Sequence, residues 1–451
     1  MPDVTGSGGW QRVRGLLRGP NTRSGRHRAA LVAAAMVTAG TVACGSGGGG
    51  VPTLTWYTNP DNGGQEALAD TCTEAANGRY RIEVTPLPTD ANGQREQLVR
   101  RLAANDSSID LMSLDPVFVP EFAAAGFLRP FSEREASRLT EDVLDGPLES
   151  AMWDGQLVVA PFWANTQLLW YKRSVAEQAD IDPSTDEVTW DQIIDAAEQS
   201  DTRVEVTGAR YEGYMVLVNT LVASGGGQIL EHPARGRDAT PDLDSPAGRQ
   251  AAEILRTLGR SSAADPDVDT AIEENARAGF QADSGGFMIN WPYVYAAAQA
   301  SVDDGSLSQE AFDDIAWARV PRVAEGEPSA PALGGINLGV GDFTDHPDEA
   351  VAAAECITST ESQTEYMLAE GNPAARSAVF DDPEITEAFP MASLIRTSID
   401  EASPRPRTAY YVDVSAAVQR TFHPPSAVNP DSTPAAADDL IVGVLHDEQL
   451  L

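Results

Sequence analysis

The chain has 451 residues, 42% of them hydrophobic and 22% charged, and its 68 acidic side chains against 31 basic ones give a formal charge of −37. That length supplies about two to four domains' worth of chain, and the apolar fraction excludes a disordered polymer. Three Cys exclude a disulfide-dense mini-protein, and so acidic a chain lacks the basic footprint that nucleic acid or an anionic membrane surface requires.

In chain order, residues 1–43 reverse the overall charge, with six Arg against one acid, Asp3. The apolar run at 29–42 is shorter than the roughly 20 residues of a membrane span but has the length of a signal-peptide core. It ends Thr41-Val-Ala-Cys44 and enters a Gly/Ser stretch. Small residues before a Cys and a flexible linker after it resemble a bacterial lipobox, with Thr41 in place of the usual Leu. The resemblance implies a signal peptide over 1–43, a lipidated Cys44 and a flexible tether over 44–50. A signal peptide with an incidental Cys is the alternative. No later segment is expected to span a membrane. With Cys44 acylated, Cys72 and Cys356 form an even pair in an oxidising compartment, which predicts one disulfide between them; two buried thiols are the alternative.

The mature chain opens with a strand over 51–57, a turn over 58–64 and a helix over 65–76. A second alternating strand follows at 79–85, an amphipathic helix at 92–105 with Leu98 and Leu102 on one face, and a third strand at 109–114. Strands alternating with helices of these lengths predict a parallel α/β sheet. In such sheets ligands meet the loops at the carboxyl ends of strands, where Asn62 and Asp115 fall. A second α/β unit then shows strands at 156–161 and 166–171 and a helix at 190–199 that Thr189 can cap. An apolar helix at 214–224 stops at Gly225-Gly-Gly227. Helices at 246–258 and 269–280 precede a strand at 286–291, a Pro-rich connector at 323–331 and a strand at 334–340 that returns to the first sheet. Helices dominate from 348 onward.

Enzyme signatures are missing from the sequence. The five His do not cluster with Cys, Asp or Glu at metal-ligand spacing, so no metal or cofactor is expected. There is no nucleophile elbow and no phosphate-binding glycine loop. The chain has a single Lys, Lys172. So many acids always offer carboxylate pairs, which makes any one pair uninformative about glycoside hydrolysis.

Five blocks stand in order along the chain: Asn165-Thr-Gln-Leu-Leu-Trp-Tyr-Lys172 with Thr189-Trp-Asp-Gln192, Asn219-Thr-Leu, Ser224-Gly-Gly, Phe287-Met-Ile-Asn-Trp291 and Gly334-Gly-Ile-Asn-Leu338. Together they resemble the family 1 sugar-binding lipoproteins of carbohydrate ABC importers. Ile109-Asp-Leu-Met-Ser-Leu-Asp115, Glu121-Phe-Ala-Ala-Ala-Gly126, Asn290-Trp-Pro292 and Arg405-Pro406 resemble the trehalose-binding members in mycobacteria. The resemblance implies an α/β, two-lobed periplasmic-binding-protein-like fold with a cleft between the lobes and a multi-segment hinge. It places 51–160 plus 330–378 in lobe 1 and 161–329 plus 379–451 in lobe 2. It also implies a monomer without catalytic residues that hands a disaccharide, trehalose first, to a membrane permease.

A neutral disaccharide presents hydroxyl donors and acceptors plus apolar C–H faces. Carboxylates accept from hydroxyls at about 1.5–3 kcal/mol per charge-assisted bond, Asn both accepts and donates, and aromatic faces cover the C–H patches. Residue by residue, the resemblance assigns ligand contacts to Asn62 and Asp115 from lobe 1 and to Asn165, Glu212 and Trp291 from lobe 2. Gly335 would offer backbone and Arg405 a guanidinium fork. The related proteins carry Asp where Asn62 stands and a smaller residue at Trp163, which would reshape the cleft. Each residue has a plainer reading: a cap for Asp115 and Asn165, a solvated charge for Glu212, core for Trp291, a tight bend for Gly335, and a surface ion pair for Arg405. The competing functions are binding of maltose or another α-glucoside or oligosaccharide, a secreted glycoside-active enzyme, and a surface adhesion or scaffolding module.

Overall fold

The computed structural model describes residues 50–185 and 188–450. The signal segment, Cys44 and the tether before Gly50 lie outside the described residues. Nine strands build the two main sheets: β1 Thr53–Thr58, β2 Arg81–Pro86, β3 Leu111–Leu114, β4 Ala160–Asn165, β5 Leu168–Lys172, β6 Arg203–Glu205, β7 Gly285–Asn290, β8 Ile315–Ala318 and β9 Gly334–Val340. The helices that matter below are α1 Gly64–Ala75, α2 Ala91–Leu102, α3 Trp190–Gln199, α4 Glu212–Ser224, α5 Pro246–Arg260 and α6 Glu273–Gln281. Further on come α7 Pro347–Ile357, α8 Thr360–Glu370, α9 Tyr411–Phe422 and α10 Thr433–Leu445.

The first sheet has the order β2-β1-β3-β9-β4. β1 pairs parallel with β2 and β3, as the alternation of strands and helices predicts. β9 departs from that prediction, since it runs antiparallel to both β3 and β4 and the sheet is mixed, while β4 keeps the direction of β1, β2 and β3. The reason is the path of the chain. β4 leaves this sheet directly for β5 in the second, and β9 brings the chain back, so β9 needs no crossover helix of the kind that enforces parallel pairing. Leu54, Trp56, Leu111, Met112, Leu338 and Val340 are fully buried at the sheet's centre. Leu98 and Leu102 of α2 bury the face that their spacing predicts. Cys72 of α1 is bonded to Cys356 of α7, closing a separation of 284 residues and fixing an early helix to a late one.

The second sheet has the order β8-β5-β7-β6, with only β7 and β6 parallel. β6 and β8 have three and four residues, too short for a two-residue hydrophobic period to stand out. α3 starts at a capping box in which Thr189 and Gln192 satisfy each other's backbone N–H. α4 is buried over 213–222, so its sequence is apolar around the whole helix.

The two sheets are joined by several crossing segments. β4 passes into β5 through the buried Thr166 and Gln167. The return path to β9 is held on α4, where the Ala330 and Ala332 N–H groups donate to Ser224 Oγ and Thr220 Oγ1, both at 3.0 Å. Leu333 and Ser403 then bond along the same path, through Leu333 N–H to Ser403 O at 2.9 Å and Ser403 N–H to Pro331 O at 2.8 Å. A third strand of chain lies against β4, with the Ala164 N–H donating to Pro373 O at 3.0 Å.

Candidate functional site

β3 ends at Leu114, and Asp115 caps the single turn Pro116–Phe118 by accepting from the Val117 N–H at 3.1 Å. This leaves a carboxylate at the C-terminal end of a parallel strand, where open α/β sheets place their ligands. Glu212 opens α4 in the second region. Arg405 lies in the segment between the helix Ala392–Asp400 and α9. Pro404 and Pro406 on either side bias it to an extended path.

These three residues meet. Arg405 is 4% exposed; its Nη2 donates to Asp115 Oδ1 at 2.8 Å and its Nη1 to Glu212 Oε1 at 2.6 Å. Glu212 also accepts from the Tyr411 hydroxyl and, through Oε2, from Ser415 Oγ at 2.8 Å. Gln419 Nε2 holds Ser415 in turn at 2.9 Å. Burial pushes the Glu212 carboxyl up, with Asp115 adding to it, while Arg405 and the two hydroxyls pull the other way. Burial alone would lower the Arg405 value, but Asp115, Tyr411 and Glu212 raise it beyond its ordinary range, so the guanidinium stays charged. The result is a largely buried polar cluster with two hydroxyls, drawn from a strand end, a helix start and the C-terminal segment. Such groups can exchange hydrogen bonds with a neutral polyhydroxylated ligand.

A second group forms where β4 and β9 meet. Asn165 pairs with Gly334, and its Oδ1 accepts from the Thr166 N–H at 3.0 Å. Trp291 follows β7, and its ring lies against Gly334, since a Cβ there would be 3.1 Å from Cη2 and Cζ3 of the indole. Gly335 has φ +120°, and a Cβ would lie 2.3 Å from the Trp163 carbonyl oxygen. The backbone of β4 therefore demands glycine at 335, which is the tight-bend reading of that residue. Trp163, half-buried, keeps its Nε1 buried with no partner among the described residues.

Asn62 stands apart from both groups. Its N–H and Nδ2 donate to the Glu370 carboxylate at 3.0–3.2 Å, and the Gly64 N–H joins them at 2.9 Å. Glu370 thus sits on the N-terminus of α1, where the helix dipole favours an anion. The seven expected residues fall into a bonded triad (Asp115, Glu212, Arg405), a group at the sheet crossing (Asn165, Trp291, Gly335), and Asn62 with Glu370. Sequence reading missed Tyr411, Ser415 and Glu370. The first two are four residues apart on one helix face just after Arg405, a spacing that could have drawn attention to them. Glu370 carried no local signal. Among the described residues no group of three or more His, Cys, Asp or Glu is placed to hold a metal ion, and no helix is long and apolar enough to cross a membrane.

Two α/β sheets, crossed by several segments and sharing a polar cluster built from both regions, define a two-lobed binding protein. Residues 67–392 match the bacterial extracellular solute-binding protein family, and the chain belongs to that family. It is similar to the probable ABC transporter-binding protein of Deinococcus radiodurans, 22% identical over 81% of this chain and 86% of that one. Among solved structures it is similar to maltose-bound MalE3 of T. maritima, with TM-score 0.74, 25% identity, and 88% and 100% of the two chains covered. It is also similar to the GacH receptor of Streptomyces glaucescens, with TM-score 0.74, 19% identity and 88% and 99% covered. The chain is therefore an extracytoplasmic solute-binding protein, not an enzyme.

Proposed function

We propose that this protein is the substrate-binding component of an ABC sugar importer, anchored outside the cell membrane through lipidated Cys44, and that its ligand is trehalose. The observation that carries this reading is the Asp115–Arg405–Glu212 triad, which offers charged and hydroxyl hydrogen-bonding groups at a strand end in a family of solute binders. The ligands named for its structural relatives, maltose for MalE3 and acarbose for the GacH receptor, support an oligosaccharide. Trehalose is favoured by the likeness of residues 109–115, 121–126, 165–171, 290–292 and 405–406 to the mycobacterial trehalose-binding lipoprotein LpqY. Maltose or another α-glucoside is the second reading, favoured by the named ligand of MalE3.

In this scheme lobe 1 is 51–165 plus 330–378 and lobe 2 is 166–329 plus 379–451, the boundary moved from 160 to 165 because β4 is a strand of the first sheet. Sugar enters the cleft between Asp115, Asn62 and Asn165 on the side of the first sheet and Glu212 and Trp291 on the other. Arg405 releases part of its hold on the carboxylates and donates to sugar oxygens. Ligand shifts the lobes toward closure only by binding the closed arrangement better than the open one. The loaded monomer then docks on a permease, and ATP hydrolysis belongs to a separate subunit.

A thermal-shift panel tests the assignment, because a ligand stabilises by RT ln(1 + [L]/Kd). Trehalose should give the largest rise in Tm. A rise with maltose and none with trehalose would replace trehalose by an α-glucoside, and consumption of the sugar would reject a binding protein altogether.

A further inference from the structure

The turn that leads into α1 is closed by two carboxylates, one local and one from far along the chain. The Gly63 and Gln65 N–H groups donate to Asp61, at 3.0 and 2.7 Å. The Asn62 and Gly64 N–H groups donate to Glu370, at 3.1 and 2.9 Å. The two acids thus take up the backbone donors of 62–65, which a helix start ordinarily leaves open. None of these four N–H groups is left for a ligand.

Packing sets Glu370 in this place. It ends α8 and is 9% exposed. The bond from Cys72 to Cys356 ties α1 to α7, the helix just before α8. Gly64 makes room, since a Cβ there would lie 2.8 Å from Glu370 Cγ. Gly371 follows with φ +71°, and a Cβ on it would come 3.2 Å from Ala296 Cβ. The end of α8 therefore meets the helix Tyr293–Asp303, which begins shortly after Trp291. Asn62 and Glu370 are carried alongside the second sheet's region.

The consequence falls on the Asn62 side chain, which is exposed. A carboxylate can only accept, whereas an amide has a donor end and an acceptor end, so Glu370 decides which end faces it. Nδ2 donates to Glu370 Oε2 at 3.0 Å, and Oδ1 receives no hydrogen bond among the described residues. The free end of the amide is an oxygen acceptor.

We propose that Glu370 is a positioning residue for the sugar: by holding Nδ2 it turns Asn62 Oδ1 toward the ligand, so that the turn selects a sugar bringing a hydroxyl donor to it. This rests on the sugar-binding reading and adds a rule of recognition to it. A ring position that carries fluorine, hydrogen or an ether oxygen in place of that hydroxyl is rejected, because it leaves Oδ1 without a donor.

Calorimetric titration of the whole mature chain with trehalose and its deoxyfluoro analogues, one for each distinct hydroxyl, tests this. Fluorine is close to hydroxyl in size and cannot donate. In wild type the analogue altered at the position facing Asn62 should bind about tenfold more weakly than trehalose. Asn62→Ala identifies that position by removing the difference. In Glu370→Gln the new amide donates toward Asn62 and turns its amide over, so the same ratio should fall below about threefold. Asn62→Asp, at an exposed side chain, still points an oxygen outward and should retain the ratio even if Glu370→Gln does not fold. An unchanged ratio in folded Glu370→Gln, a lost ratio in Asn62→Asp, or no position that answers to Asn62→Ala would each overturn the proposal. A readout without sugar separates it from the trehalose assignment. In the unliganded chain one Asn62 Nδ2 proton should lie downfield in the NMR spectrum and move upfield in Glu370→Gln. If trehalose does not bind and that shift is seen, the sugar assignment fails while the hold of Glu370 on Asn62 stands; if the shift is absent, the proposal fails whatever sugar binds.

Discussion

Glu205 and Glu212 lie seven residues apart, on the last position of β6 and the first of α4, and both carboxyl groups are shielded from water. Their surroundings differ completely. Glu212 receives Arg405, Tyr411 and Ser415. Glu205 is 2% exposed, and its Oε1 has no partner among the described residues. Burial, with Asp265 adding and Arg203 opposing, pushes the Glu205 carboxyl up to about 8. A buried acid with a full set of donors is an instrument for polar ligands, whereas one without them is carried as a neutral group.

The largest expected effect comes from making Glu212 resemble Glu205. Arg405→Met leaves Asp115 and Glu212 facing each other without a counter-charge, which should cost about 3–5 kcal/mol at neutral pH. Urea unfolding should show the loss, and acidification should recover part of it as a carboxyl protonates. A fully stable variant would mean that the triad is not a charge-compensated unit.

Glu205→Gln tests the other side. The folded value of about 8 stands above the ordinary 4.5, so the protonated acid's contribution is complete below about pH 4.5 and is lost as pH rises through 8. The gap corresponds to less than about 5 kcal/mol at 1.36 kcal/mol per unit. Local relaxation should reduce this, and we expect Glu205→Gln to be more stable than wild type by about 3 kcal/mol at pH 9 and nearly equal to it at pH 5. Parallel stability curves from pH 5 to 9 would contradict the neutral-acid account. Tyr411→Phe is the gentlest test. It removes one of three donors to Glu212 and should cost about 1–2 kcal/mol by urea unfolding; no change would mean that the hydroxyl is replaceable by water.

The comparison also explains what could be read in advance. The strands at β1, β2, β3, β5, β7 and β9 were legible because their apolar patterning is local, and Asp115 because it stands at a strand end before Pro116. The reversed course of β9 was not, since it depends on where a distant return path lands. Arg405 lies 290 residues from Asp115 and 193 from Glu212, so their bonding is a product of topology that no local spacing encodes. For the same reason no local spacing separates Glu205 from Glu212 or places Glu370 beside Asn62. The resemblance to sugar-binding lipoproteins supplied residues that spacing could not.

The central claim is that Asp115, Glu212 and Arg405 line the sugar cleft, and the most direct measurement is the trehalose Kd of Asp115→Asn by calorimetry. Asn retains a side-chain oxygen for the Val117 cap but removes the charge, and one lost charge-assisted bond of about 1.5–3 kcal/mol corresponds to at least a tenfold change. The account predicts a Kd at least ten times higher than wild type with a folded, cooperatively melting protein. An unchanged Kd in that folded variant would contradict it.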